Sequence, residues 1–300
     1  MHTRNEKNSH QPLSTRSLLQ QFSGVATADG DGVKLTRIIG SPQLNMLDPF
    51  LLLDCFESDA AQDYIGGFPT HPHRGFETVT YLLNGRMRHK DSAGHEGVIE
   101  SGGVQWMTAA RGILHSEMPE QEEGLMKGFQ LWVNLPARAK MNDPAYQEYP
   151  PQSTPLEHRS DGTEIRVIAG QTNQGTLGPV VNEYTFPTYM DISLPANTEF
   201  QQTLPAQHNA FIYVIGGGVS ALGEDTSVTG HRHIISGKEL GVLSKGEQVA
   251  VISGDRGGRF LLIAGRPLNE PVARGGPFVM NTREEVMQAF TDFNNGLFLP

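Results

Sequence analysis

Short runs in which apolar and polar residues alternate recur along the chain, separated by Gly, Pro, Asn and Asp. Successive side chains of a strand leave opposite faces, so this period of two marks half-buried strands. Val33-Lys34-Leu35-Thr36-Arg37-Ile38-Ile39 alternates in its first half and predicts one such strand. Thr78-Val79-Thr80-Tyr81-Leu82-Leu83 predicts another, and the Asn84-Gly85 pair after it predicts a two-residue hairpin, because that pair favours positive φ. Phe129 to Leu135 is a third. The stretch Pro136 to Pro155, rich in Pro, Ala, Asn and Tyr, reads as a link between two halves.

The second half repeats the layout. Glu164 to Gly170 opens it, Ala210 to Gly217 matches Thr78 to Gly85 as a strand followed by glycine, and Phe260 to Gly265 matches Phe129 to Asn134. Many short strands at regular intervals, twice over, predict an all-β chain of two barrels or sandwiches. The C-terminus changes period. Thr282-Arg283-Glu284-Glu285 has the form of a capping box, with Asn281 as an alternative cap, and Val286, Phe290 and Phe293 then fall on one helical face before Gly296. A short helix packed on a barrel is expected there, its Phe and Met residues serving as core contacts. The expected organisation is a mobile tail over 1–15, a first barrel over 16–140, a linker over 141–160, and a second barrel with the helix over 161–300.

Composition narrows the class. A chain of 300 residues has room for two domains, and 37% hydrophobic with 19% charged residues excludes both disorder and a membrane protein. The counts of Gly 34 and Pro 19 suit a turn-rich β protein. A net charge of −10 without a dense Lys/Arg run argues against direct nucleic-acid contact. Cys55 is the sole cysteine and sits in an apolar run, so it reads as a small strand residue in a protein of a reducing compartment. Residues Met1 to Gln11 are polar and carry no secretory h-region. No apolar run nears the ~20 residues that span a bilayer. The expectation is a soluble cytoplasmic monomer.

The candidate chemistry lies in two of the histidine clusters. His71-Pro72-His73, with Glu77 following, is one; His115-Ser116-Glu117 is the other. Residues i and i+2 of a strand share a face, so each pair can point into a barrel. Three imidazoles and a carboxylate around one point suit a divalent first-row metal with a coordination position left open. Glu77 shares parity with His71 and His73, so spacing leaves Glu77 and Glu117 as alternatives for the carboxylate. His231-Arg232-His233 is a second His-x-His, but it follows a loop-like stretch from Asp225 to Gly230 and has no downstream partner; it reads as an exposed turn or strand start. His89 and His95 read as solvated loop residues, and Phe68, Gln130 and Trp132 as pocket wall or core. No phosphate loop and no nucleophile elbow is present.

Gly67-Phe68-Pro69-Thr70-His71-Pro72-His73-Arg74-Gly75-Phe76-Glu77-Thr78-Val79 closely resembles the first signature of the pirin family. Gln105 to Pro119 resembles its second, and Pro277-Phe278-Val279-Met280-Asn281-Thr282 its C-terminal one; the likeness runs from about residue 16 to 298. The resemblance implies two tandem cupin (jelly-roll) barrels with one metal in the N-terminal barrel, held by His71, His73, His115 and Glu117. Cupins in general take a Glu from the first motif, which would be Glu77; the pirin pattern instead makes Glu77 structural. Fe(II) is the expected ion, and Mn, Ni, Cu, Co or Zn suit the same donors. The C-terminal half has Gln202-Thr203-Leu204 where the first motif would recur and His208 alone, so its barrel is expected to be metal-free. The resemblance further implies a dioxygenase that opens a flavonol such as quercetin with O₂, with Glu117 as ligand and base. A redox-sensing regulator that binds a protein partner, and a cupin enzyme on another substrate, are the alternatives.

Overall fold

The computed structural model describes residues 13–223 and 233–299. Its regular structure is antiparallel strand with one C-terminal α-helix, Arg283–Asn294. The first half forms two sheets. Ala145–Tyr149, Val104–Thr108, Phe76–Asn84, Met126–Asn134, Phe50–Ser58, Val33–Ile39 and Val25–Asp29 pair in that order, and Phe68–His73, Ile113–Pro119, Arg86–Asp91 and Glu96–Glu100 form the second sheet. The second half builds its barrel around two long strands, Asn209–Ala221 and Gln248–Gly265. Register shifts at Val214/Gly216 and Gly217/Val219 bend this pair, so the same two strands serve both walls. The architecture is the expected pair of tandem cupin barrels with a C-terminal helix.

Asn84-Gly85 does turn the chain, with Gly85 at φ 97, but it is not a hairpin. The strand before it pairs with Val104–Thr108 and Met126–Asn134, whereas the strand after it, Arg86–Asp91, pairs with Glu96–Glu100 and Ile113–Pro119. The turn is a corner between the two sheets. Local φ preference specifies the bend and carries no information about which strand the chain meets next.

Both ends of the chain cross over. Residues 1–12 of the expected tail lie outside the described residues, but 13–15 are tied down. Ser14 N donates to Glu247 at 3.2 Å and Thr15 bridges to Gln248. Buried Arg16 then donates to the carbonyls of His208, Ser244 and Pro205. Leu18–Ser23 pairs with Glu239–Leu243, so it belongs to the second sheet system and not to a first barrel beginning at 16. The stretch 141–160 holds Ala145–Tyr149, paired to the first half, and Leu156–His158, paired to the second. The hairpin Ala273–Gly275/Phe278–Met280 and the helix return to the first barrel, where Phe278 bridges to Arg74. Alternation reveals strands but not their partners, which is why these crossings escape a linear reading.

The helix begins as expected. Glu285 N donates to the Thr282 hydroxyl, and the Glu285 carboxylate accepts from the backbone N–H of Thr282 and Asn281 at 3.0 and 2.9 Å. Val286 and Ala289 are buried and Phe290 stacks edge-on against Phe278; Phe293, though partly exposed, packs edge-on against buried Phe298, and Met287 alone of the expected contacts faces solvent. An extensive apolar core lies between the barrels, where Val79, Tyr81, Phe129 and Leu131 meet Tyr189, Phe211, Tyr213 and Leu261. Cys55 is buried in this layer, and burial pushes its thiol up to about 11. A separate cluster that includes Val167, Ile192, Val214, Val251 and Phe260 packs the second half, which leaves little room there for a polar site.

Candidate metal centre

His71 and His73 stand on Phe68–His73, and His115 lies directly opposite His71 on Ile113–Pro119. The three rings meet with centroids 4.4 to 5.0 Å apart. Their donor atoms lie within 4.8 Å of one another, and His71 Nε2 is 3.0 Å from His73 Nε2. His71 Nδ1 faces the Pro69 carbonyl at 2.9 Å, which favours Nδ1–H and leaves Nε2 as the lone-pair donor. Burial, and then the neighbouring imidazoles, hold His73 and His115 well below the usual histidine range. They are therefore neutral near pH 7, the form that binds metal. His115 is the informative one. Both its ring nitrogens are buried without a hydrogen-bond partner, a costly arrangement unless something else takes a lone pair. The donor set fits a divalent metal ion.

Glu117 is buried on the same strand face as His115, two residues on, and lines the same cavity. Its carboxylate accepts from Gln130 Nε2 at 3.0 and 3.2 Å, and the Thr80 hydroxyl lies 2.9 Å from its Oε1. It stands outside the group of three whose donor atoms converge. Glu77 is elsewhere. The turn at Arg74-Gly75, with Gly75 at φ 91, breaks the strand, so counting parity from His73 to Glu77 fails. Glu77 accepts from Thr108 Oγ1 at 2.8 Å and from Asn182 Nδ2 of the second half at 2.6 Å. Burial raises its carboxyl to about 7. It belongs to the contact between the barrels.

The turn after His73 is gripped by the C-terminal segment. Arg74 is buried; its Nη1 donates to Asp292 Oδ2 at 2.6 Å, its Nε donates to the Arg111 carbonyl, and its guanidinium lies 4.5 Å from the Phe298 ring centroid. Buried Lys140 donates to the carbonyls of Gly75 and Val279 at 2.6 and 3.0 Å and to Asn134 Oδ1 at 2.7 Å; burial lowers its ammonium to about 7. A Cβ at Gly75 would stand 1.9 Å from the Val279 carbonyl, so glycine is required there for the approach as well as for φ.

His71 and His73 open onto a cavity of about 800 Å³. Phe56, Phe68, Leu35, Leu52 and Trp132 supply apolar walls, with Gln130 beside Glu117. Trp132 also packs edge-on against His73, at 5.2 Å between centroids. Phe68, Gln130 and Trp132 were legible as candidates. Arg37, Asp54 and Arg274 were not singled out. Leu35 and Arg37 do share a strand face, which is a usable signal; Arg274 has none short of the folded C-terminal hairpin. Arg37 donates to Asp54 at 2.7 and 3.0 Å and to Asp29 at 3.0 Å, while burial still pushes Asp54 up to about 6.

His89 is corrected. It is buried on Arg86–Asp91, opposite Glu117, with Nε2 3.0 Å from Glu148. His95 is exposed as expected and pairs with Asp91 at 3.0 Å. His208 is buried beside Arg16, with its ring lowered to about 4 chiefly by burial. His233 is exposed, while His231 and the Asp225 to Gly230 stretch lie outside the described residues.

Two cupin barrels, the first with three histidines whose donors could hold a metal ion, define a bicupin. The pirin family model matches residues 32–133, and the pirin C-terminal cupin model matches 189–299. A pirin-like protein of Caulobacter vibrioides is 51% identical over 286 residues, covering 95% of this chain and all of that protein. Pirin of Homo sapiens is 45% identical over 272 residues, covering 89% of each chain. The crystal structure of quercetin 2,3-dioxygenase from Acinetobacter baumannii superposes with a TM-score of 0.84 at 34% identity, covering 95% of this chain and 99% of that one. The chain belongs to the pirin family.

Proposed function

We propose that this pirin is a metal-dependent dioxygenase that opens a flavonol with O₂, its metal held by His71, His73 and His115 with Glu117 as fourth ligand. The observation that carries the reading is His115, whose two buried, unpartnered nitrogens stand with His71 and His73, and these two line an aromatic-walled cavity. Similarity to the Acinetobacter quercetin 2,3-dioxygenase supplies the substrate class. Three imidazoles and a carboxylate accept Fe(II) as the working ion, with Mn, Ni, Cu, Co and Zn as competitors for the same donors.

A bound metal supplies Lewis acidity toward the flavonol 3-hydroxyl and a site for electron transfer to O₂. The rest falls to the protein. The apolar walls, Phe68 and Trp132 among them, take up the flat rings and exclude water. Glu117 receives the 3-hydroxyl proton at its carboxylate, a role that needs the base within hydrogen-bond reach of that proton. Gln130 and Thr80 hold the carboxylate in place for it. In this reading the second barrel is structural and binds no metal.

Purified protein loaded anaerobically with Fe(II) is mixed with quercetin and air, and the flavonol absorbance and released carbon monoxide are followed. His73→Ala should lose both metal and turnover. Glu117→Gln should retain some metal and lose turnover by at least about 100-fold, the usual scale for a general base. Retained turnover in Glu117→Gln would remove the base role. No quercetin loss in the metal-loaded wild type would move the weight to a protein-binding regulator or to another substrate.

A further inference from the structure

The mouth of the metal cavity is asymmetric in charge. On one side Asp29 and Asp54 both pair with Arg37, so that cation is already neutralised. Asp31 lies near them, and its backbone N–H is held by the Gly67 carbonyl. On the other side Arg274 lines the cavity from the C-terminal hairpin. Its Nη2 donates to the Leu51 carbonyl at 2.5 Å and its Nη1 to the Asn45 carbonyl at 3.5 Å. Among the described residues it forms no ion pair, whereas Arg37, the other arginine lining the cavity, does. Two neutral carbonyls thus fix the exposed guanidinium in place and leave its charge without an acidic partner. A guanidinium preorganised by its own hydrogen bonds is the usual receptor for a carboxylate or phenolate.

We propose that Arg274 is a specificity-determining residue that binds an anionic oxygen group on the substrate, so that the cavity selects planar aromatic molecules with an acidic substituent at the end facing solvent. Exposed Arg274 lines the same cavity as His71 and His73, so one flat molecule can address both. The acidic side does not cancel the effect. Asp29 and Asp54 share the single cation Arg37, so with Asp31 that part of the lining stays net negative and directs an anionic group toward Arg274, while its carboxylates can accept from the hydroxyls a polyphenol also offers. The proposal rests on the reading of this cavity as a flavonol site, and it adds the charge requirement.

The test measures binding without turnover. Protein loaded with Zn(II) is titrated without O₂ against 3-hydroxyflavone and against its 4′- and 7-carboxylates, with quenching of Trp132 fluorescence as the signal. At least one carboxylate should bind the wild type about tenfold more tightly than the parent, and Arg274→Gln should erase that gain while leaving the parent unchanged; Arg274→Lys should restore part of it. Should Arg274→Gln fail to fold, raising the salt concentration on the wild type reads the same charge, because only carboxylate binding should weaken. Equal affinity of all three ligands for the wild type, or a gain that survives Arg274→Gln, overturns the proposal while leaving the flavonol site intact. Binding of a carboxylate without binding of 3-hydroxyflavone would uphold Arg274 and overturn the flavonol reading.

Discussion

At the scale of single residues, the two glutamates that spacing could not separate have opposite surroundings. Glu117 is held by Gln130 and Thr80 inside the cavity, and Glu77 by Thr108 and Asn182 between the barrels. The His-x-His and His-x-Glu pairs were legible because each lies within one unbroken strand, where parity is a reliable guide. Glu77 was not, because parity does not survive the Arg74-Gly75 turn. Its environment makes a prediction. Burial raises the Glu77 carboxyl from 4.5 to about 7, so the folded state binds a proton that the unfolded chain releases between those values. Stability is therefore greatest below about 4.5 for this group and is lost as pH rises toward 7, by on the order of 3 kcal/mol. Glu77→Gln keeps the shape and removes the titration, and the Thr108 hydroxyl can reverse to accept from the new amide. The difference in unfolding free energy between wild type and Glu77→Gln, measured by urea from pH 4.5 to 7.5, should shift in favour of Gln as pH rises. A difference independent of pH would show that Glu77 is ionised throughout.

At the scale of elements, the apolar runs singled out in the sequence each fall on a strand: Val33–Ile39 residue for residue, the others within or close to Phe76–Asn84, Met126–Asn134, Glu164–Ala169, Asn209–Ala221 and Gln248–Gly265. Arg86–Asp91 was not among them: exposed and buried residues alternate there, but the buried ones are Met87, His89 and Asp91, so the sequence carries no apolar period. What alternation also missed is pairing. The Asn84-Gly85 corner and the Leu18–Ser23 strand are choices of partner, made by whichever apolar face lies nearest in three dimensions. The C-terminal helix shows the same division: its cap was readable from Thr282 and Glu285, but its docking against Arg74 was not. That docking holds the turn immediately after His73. Arg74 is only 4% exposed, and Asp292 is its sole carboxylate partner among the described residues. Asp292→Ala leaves a buried guanidinium without its counter-charge and should cost about 2–3 kcal/mol, the lower part of the range for a broken buried pair because Asp292 is itself 21% exposed. Asp292→Asn keeps one acceptor and should cost less. Urea midpoints of the metal-free proteins read both values. A loss below about 0.5 kcal/mol for Asp292→Ala would mean that solvent screens Arg74 and that the helix is not a clamp.

At the scale of the whole molecule, the barrels are two in outline but share their means of support. Val79, Tyr81, Trp106, Phe129 and Leu131 of the first half are buried against the second. Tyr81 Oη donates to Asp191 Oδ2 at 2.7 Å across this layer, and Arg259 neutralises the same carboxylate. The N-terminal Arg16 is seated among carbonyls of the second half, while Arg274, Gly276 and Pro277 complete the wall of the first-half cavity. A domain that folds alone needs its own closed core, and a chain cut at residue 140 would lose the Ala145–Tyr149 strand and expose the apolar face of the six strands left in that sheet. The full chain should therefore unfold in one calorimetric transition whose van't Hoff and calorimetric enthalpies agree. A fragment of residues 16–140 should aggregate or remain unfolded and should not take up one metal per chain, even though it contains His71, His73, His115 and Glu117. Two separate transitions, with the lower one leaving the metal in place, would show that the first barrel stands without the second and that the crossed termini are attachments and not supports.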